Sequence, residues 1–438
     1  MDLPAALARV GVRVPDVLLP SPEIDLHAWA VVACDQFTSQ PEYWEQVAQL
    51  VSGKPSTLNL IFPEAYLEEP DPDFRVRAIN ATMKGYLARG VFREHPGTMV
   101  LVRRETLDGA VRWGLVTALD LERYSWEPHA RSMIRATEGT ILDRLPPRVT
   151  IREESDLELP HIMVLISDAG RAVIEPLAAQ VDRLKPLYST ELMLGGGNVA
   201  GWAVDSADDH QALADALGRL LDDLDPDDPL LFAMGDGNHS FATAKSIWEN
   251  IKGAVPHDQW EGHPARYCLV ELQNIHTAGL EFEPIHRVLF ETSREDFESE
   301  LAAQCAGFDR IEADDLGEVL GAIEPPCAQS FGYADPDGLA IYRLDSPAAS
   351  LAVGTLQRTI DNLLAEGRGE VDYIHGADVA EELGRRDGNL GLFLPQVAKD
   401  SFFASIVADG ALPRKTFSLG EAADKRYYLE ARRISRTD

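Results

Sequence analysis

The stretch Pro229-Leu-Leu-Phe-Ala-Met-Gly-Asp-Gly-Asn-His-Ser-Phe-Ala-Thr-Ala-Lys245 constrains the fold more than any other part of the chain. An apolar run, Leu230 to Met234, stops at Gly235-Asp236-Gly237-Asn238-His239-Ser240, and a helix-compatible segment, Phe241 to Ile251, follows at once. The local reading is strand, tight loop, helix. Glycine reaches backbone conformations that a Cβ forbids, so Gly235 and Gly237 mark a sharp bend. The first amides of a helix have no intrahelical partner, and such an end favours an anion, most often phosphate. A capped surface turn has the same outline, because Asp, Asn and Ser are ordinary turn and cap residues. A simple turn needs one or two such groups. This bend gathers Asp236, Asn238, His239, Ser240 and, just inside the helix, Thr243, with Lys245 beyond them.

The chain has 438 residues, more than one compact core usually holds, so two or three domains are expected. Its formal charge of −32 arises from 72 acidic and 40 basic residues. A surface this negative repels phosphate backbones and anionic lipid, which disfavours nucleic acid and membranes as partners. The cysteines Cys34, Cys268, Cys305 and Cys327 form no C-x-x-C pair, so no thiolate metal site is indicated. Their scarcity fits a reducing compartment. The N-terminal residues have an early acid and no apolar h-region, and no uncharged apolar stretch approaches the roughly 20 residues of a membrane span. A cytoplasmic location is expected.

Apolar runs and helical periods alternate along the chain. Trp29–Cys34 reads as a buried strand, followed by a helix capped at Ser39 with Pro41 in its first turn. Asp73–Leu87 reads as a helix, and Thr98–Arg103 with Val111–Thr117 as a hairpin turned at Asp108-Gly109. His161–Ser167 is a further strand, and a helix is expected over Glu175–Leu184. Glu191–Val204 reads as a strand pair turned at Gly195-Gly-Gly197, and His210–Leu224 as an amphipathic helix. Arg266–Leu272, Gly279–Ile285, Leu339–Arg343, Val371–Gly376 and Asn389–Pro395 supply more strand candidates, before a charged tail. These patterns predict an α/β to α+β fold with mixed sheets and flanking helices. The expected division is a main region over 1–290 (with a sub-boundary near 150), a smaller unit over 291–366, and a C-terminal segment over 367–438 that packs back on the main region.

Six segments together resemble the bacterial and archaeal family catalogued as domain of unknown function 1015. They are Cys34–Trp44, Arg135–Thr140, Gly235–Ser240, Pro284–Arg287, Asp372–Gly376 and Pro413–Phe417. The Asp-Gly-x-His loop is more distantly similar to the ParB/sulfiredoxin-like superfamily, which includes free serine kinases. That resemblance implies a nucleotide phosphate held by the loop and the following helix start. Many relatives carry a basic residue after the His; this chain has Ser240, with Lys245, Arg414 or Lys415 as replacements for the lost charge.

Phosphoryl transfer is mainly positioning and charge neutralisation. Gly237 to Phe241 offer an anion cradle, with Gly235 and Ser240 beside it. Asp236 and Asn238 are hard oxygen donors of the kind magnesium prefers. Asp236, His239, Asp35 and His375 are the candidate catalytic groups, the last three as bases. Arg135, Lys245, Arg414 and Lys415 are the candidate cations for the transferred group. Each has a plain structural alternative: Asp35 as a helix cap, His375 and His286 as core histidines, Arg414-Lys415 as a solvated pair, and Cys34 as a small core residue. No H-E-x-x-H, G-x-x-x-x-G-K-[ST] or G-x-S-x-G occurs, which argues against zinc proteases, Walker-type ATPases and α/β-hydrolases. The expected function is a phosphotransferase acting on a small hydroxylated metabolite such as serine or phosphoserine, with ADP or ATP as donor and Mg2+ as cofactor. The alternative is a non-catalytic nucleotide-binding regulatory or scaffold protein.

Overall fold

The computed structural model describes the chain except residues 68–70, 128, 140–144, 325–328 and 437–438, so Thr140 and Cys327 lie outside the described residues. The fold is mixed α/β. The chain divides into two units: Met1–Ala136, Thr140–Leu280 and Glu421–Asp438 form one, and Thr137–Gly139 with Glu281–Gly420 form the other. Residues 291–366 thus share a unit with 281–290 and 367–420, and the last residues belong to the first unit.

In the first unit, Pro41–Leu50 is helix α1, opened by a proline whose missing N–H costs nothing there. Its N-cap is Gln40 and no side chain caps it, so Ser39 does not play the expected part. Pro72–Ala88 is α2, where the Asp71 side chain accepts from the Phe74 amide. Met99–Glu105 (β1) and Val111–Asp120 (β2) form the expected hairpin. Ile134–Arg135 (β3) and Met163–Ile166 (β4) follow, then Lys185–Glu191 (β5) and Asn198–Val204 (β6), joined by the triple-glycine turn. The first arm of that pair ends at Glu191 rather than starting there. Ala207–Asp222 is α3, Phe232–Asp236 is β7, Asn238–Lys252 is α4 and Tyr267–Asn274 is β8.

These strands lie in one sheet in the order β5-β6-β1-β2-β8-β4-β7-β3, with the short strands Val12–Arg13 beside β2 and Tyr124–Ser125 beside β3. The pairs β8–β4 and β7–β3 are parallel; β4–β7 and the pairs from β5 to β8 are antiparallel. Side chains alternate between faces along a strand. Leu101, Leu115 and Phe232 accordingly join one core with Leu213, Phe241 and Trp248 from α3 and α4. Val100, Val102 and Val116 join the other with Trp44, Ile79 and Met83 from α1 and α2. Helices cover both faces, which is why the strands read as nearly continuous apolar runs.

Three expectations are corrected. Trp29–Cys34 is not a strand: Leu26–Trp29 is one helical turn capped by Asp25, and the chain then runs extended against the C-terminus. There Ala33 N donates to Arg426 O and Tyr428 N to Val31 O, each at 2.9 Å. A short apolar run cannot distinguish these cases, since both bury it. Glu175–Leu184 is helical only over Glu175–Ala178, with a 3-10 turn at Val181–Arg183. The strand expected over Gly279–Ile285 is reduced to Glu283–Pro284. In addition, Lys425 to Arg432, part of the tail read as merely charged, is buried throughout.

The second unit holds a fully antiparallel sheet. Its strands are His286–Phe290 (β9), Gly307–Ala313 (β10), Ser330–Asp335 (β11), Gly338–Asp345 (β12), Glu370–Ile374 (β13) and Asn389–Phe393 (β14), in the order β10-β12-β11-β14-β9-β13. His286 is buried and its Nδ1 accepts from Leu394 N at 3.1 Å, a core histidine with a satisfied nitrogen. Burial, helped by Arg287 and His375, pushes its pKa down to about 4 from 6.5. The unfolded chain therefore takes up this proton near pH 6.5 and the folded protein only near 4, so stability falls as pH drops through that window. The loss is of order 3 kcal/mol. Urea unfolding at pH 7 and 4.5 should show a smaller pH-dependent loss in His286→Gln than in the parent; equal losses would refute the assignment. Among the described residues, no helix is long and apolar enough to cross a membrane.

Candidate functional site

β7 runs into α4 through one residue. Gly235 and Asp236 end the strand, Gly237 is the N-cap, and Asn238, His239 and Ser240 form the first helical turn. The six-residue loop and the helix start at Phe241 expected from the sequence are corrected accordingly. The bend is this short because Gly237 is left-handed, with φ of 80°. A Cβ there would lie 2.9 Å from Ile162 Cγ1 and 3.1 Å from its Cα. Glycine is thus required twice over, by torsion and by space. Gly237→Ala should lower stability by about 1–3 kcal/mol, the usual cost of such strain; an unchanged melting temperature would show that β4, which follows Ile162, yields freely.

The Gly237 amide donates to Asp236 Oδ1 at 2.9 Å. The first i to i−4 bond of α4 runs from Phe241 N to Gly237 O at 3.0 Å, so the amides of residues 238–240 precede the helical ladder. Asp236 Oδ2 lies 3.5 Å from Lys425 Nζ, and Lys425 is buried. Lys425 also acts electrostatically on Asp35. Asp35 Oδ1 accepts from Gln36 Nε2 at 3.0 Å, and its Oδ2 lies 3.9 Å from His161 Nε2. His161 Nδ1 is 3.0 Å from the Tyr428 hydroxyl, which also accepts from Cys34 N at 3.0 Å. One cation, Lys425, therefore serves two aspartates brought in by different segments.

Burial works to raise the Asp35 pKa, but His161, the Gln36 hydrogen bond and Lys425 outweigh it, and the carboxyl stays below its ordinary range. Nearby Glu64 goes the other way: burial lifts it, Asp35 adds to the effect, and Arg148, 2.5 Å away, offsets only part. Two carboxyls in one electrostatic environment are thus driven apart, the pattern that separates a base from an acid. Burial pushes the Cys34 thiol far up, which removes it as a nucleophile.

The remaining predicted residues have other surroundings. Arg135 sits on β3 opposite Ala233 of β7, buried, with its guanidinium on Asp228 and its Nε donating to Ser132 O at 2.9 Å. Lys245 lies about 12 Å along α4 from Gly237, at 1.5 Å per residue. Its Nζ is 2.5 Å from Glu249 Oε1 and 3.9 Å from Glu122 Oε1, so acids of that region hold it. His375, Arg414 and Lys415 belong to the second unit. There His375 is exposed just after β13, Arg414 sits 5.5 Å from the centre of the Tyr373 ring, and Lys415, also left-handed, donates its amide to Glu138 Oε1 at 3.1 Å. Lys425, His161 and Tyr428 were missed. A signal existed: Lys425-Arg-Tyr-Tyr-Leu-Glu-Ala-Arg432 sets its charges around an apolar centre, unlike a solvated tail. Among the described residues, no group of three or more His, Cys, Asp or Glu side chains is arranged to hold a metal ion.

A family model described as "Protein of unknown function (DUF1015)" matches residues 17–363. No curated protein sequence matches the chain. Among solved structures, a free serine kinase in complex with AMP is 9% identical, over 73% of this chain and 92% of that one, with a TM-score of 0.40. A conserved hypothetical protein from Pyrococcus furiosus is 9% identical, over 72% and 90%, with a TM-score of 0.36. SbnI with a C-terminal truncation, from Staphylococcus aureus, is 9% identical over 70% and 82%, with a TM-score of 0.35. Likenesses this weak carry no argument about what the chain binds.

Proposed function

The chain belongs to the family of proteins of unknown function DUF1015, and we propose that its first unit is a phosphotransferase acting on a small hydroxylated metabolite, serine or phosphoserine foremost. The observation that carries this reading is the buried Lys425 beside Asp236 at the single-residue bend into α4. Phosphoryl transfer needs an anion cradle and a fixed positive charge. The amides of residues 238–240, which follow the bend at Gly237, supply the cradle with the Ser240 hydroxyl, and Lys425 takes the place of the basic residue that the loop lacks after His239. Asp35, held ionised, accepts the proton of the attacking hydroxyl. His161 orients Asp35, and His239 is the second candidate base. Asp236, with Asn238, is the protein's donor for a magnesium ion, which is usually held by one or two carboxylates together with substrate phosphates. That ion would neutralise phosphate charge when bound. The acidic partners of Arg135 and Lys245 leave those two residues structural roles.

Calorimetry with ADP and ATP, with and without magnesium, and turnover assays on serine and phosphoserine test the reading. Asp35→Asn should keep nucleotide affinity within a few-fold and lower turnover by about 10²–10⁴. Turnover that survives the change would remove Asp35 from the chemistry. Asp236→Ala should abolish both binding and turnover. Nucleotide binding without turnover on either substrate would instead favour the regulatory or scaffold reading.

A further inference from the structure

A second feature of the first unit lies among residues to which the reaction above gives no role. Arg104 on β1 and Arg112 on β2 face each other across the hairpin register, and both are buried, at 3% and 5% exposure. Like charges directly opposite on neighbouring strands repel, and burial makes an uncompensated charge costly. Burial pushes both guanidinium groups down to about 10, so both remain cations at neutral pH.

Their hydrogen bonds go to backbone carbonyls. Arg104 donates to Glu105 O at 2.7 Å, Asn198 O at 3.3 Å and Ala423 O at 3.0 Å, and Arg112 donates to Asp424 O at 2.5 Å. Among the described residues, the Nε–H of each has no acceptor. The carboxylates Glu271 and Glu430 are buried as well, but both are bound by Arg426. Asp424 is half-buried and acts on both arginines only through space. Among the described residues the fully buried set therefore holds three guanidinium groups against two carboxylates, while Asp236, half-buried like Asp424, acts on Arg112 through space. Arg104, Arg112 and Arg426 border a cavity of about 10 Å³, together with Glu271, Tyr188 and Tyr427. That is room for about one water-sized particle, far too little for a phosphate.

We propose that this cavity is a binding site for a single monatomic anion of the chloride class, held between Arg104 and Arg112 as their missing counter-charge. The glycine turn serves the same arrangement. A Cβ at Gly196 would strike the Tyr427 hydroxyl at 2.5 Å, and one at Gly197 would crowd Arg104 Nη1 at 3.2 Å and Glu105 O at 2.2 Å. The turn is small so that these side chains can close over the cavity. The site does not depend on the phosphotransfer reading, and its occupant is not a substrate.

The test uses the full chain and bromide, which replaces chloride and scatters anomalously. A crystal grown in sodium bromide should show an anomalous peak between the two arginines. In solution, the melting temperature should rise by a few degrees in sodium chloride or bromide relative to sodium gluconate at equal ionic strength, and the rise should saturate. Arg112→Gln should lose this halide-specific increment while keeping the general salt response. A water molecule at the position, or equal melting temperatures in halide and gluconate, would overturn the proposal. So would a bromide peak without a saturable shift, which means binding at crystal concentration only. If Arg112→Gln fails to fold, the peak and the titration of the parent protein decide alone.

Discussion

An Arg426→Met protein is expected to unfold about 3–5 kcal/mol more readily than the parent. Arg426 is buried among groups that depend on it: one arm binds Glu271, another lies 2.5 Å from Glu430, and Nε donates to Pro160 O at 2.8 Å. Glu430 is fully buried and also accepts from the Tyr188 hydroxyl, while Glu271 accepts from Gln273 Nε2 at 2.8 Å. A buried ion pair adds little net stability when made, because desolvation cancels most of the attraction. Removing one partner is a different matter, since Glu271 and Glu430 both lose the guanidinium bound directly to them, in a medium that solvates them poorly. Urea unfolding at neutral pH measures the loss. Adding Glu430→Gln to Arg426→Met should recover part of it, by removing one stranded charge. A loss below about 1 kcal/mol would mean that water reaches these carboxylates once the arginine is gone.

A Lys425→Met protein should bind ADP or ATP about tenfold to a hundredfold more weakly, the worth of a charge-assisted hydrogen bond of about 1.5–3 kcal/mol. Two effects act together. The cation beside the start of α4 is lost, and Asp236 and Asp35 then present less compensated negative charge to an incoming phosphate. Lys425→Arg keeps the charge and should retain more affinity than Lys425→Met. Calorimetry on folded samples of each decides the matter. Unchanged affinity in Lys425→Met would place the phosphate somewhere other than this bend.

Much of the framework was legible in the sequence because its signals are short-range. The hairpin of β1 and β2 follows from two largely apolar runs on either side of Asp108-Gly109. α2 and α3 follow from their apolar period, but their starts were placed at Asp73 and His210, whereas Asp71 and Ser206 cap them and they begin at Pro72 and Ala207. Asp236, Gly237 and Asn238 were found because a strand, a glycine and a helix meet within a few residues. The errors also have local causes. Trp29–Cys34 was misread because a buried extended segment beside a C-terminal neighbour has the same composition as a strand. The bend at Gly237 was read as too long because asparagine, histidine and serine suit a loop as well as a first helical turn.

What the sequence determined by itself was the alternation of strands and helices, and the bend at Gly237, where torsion and space admit no side chain. What only the tertiary structure decided was which charges meet. Lys425 was hidden in a segment that read as a tail, Lys245 turned out to be held by Glu122 and Glu249, and Arg104 met Arg112 without a carboxylate between them. Backbone geometry is set by near neighbours along the chain, whereas charge pairing depends on distance through space, and only folding brings the C-terminal residues to the head of α4.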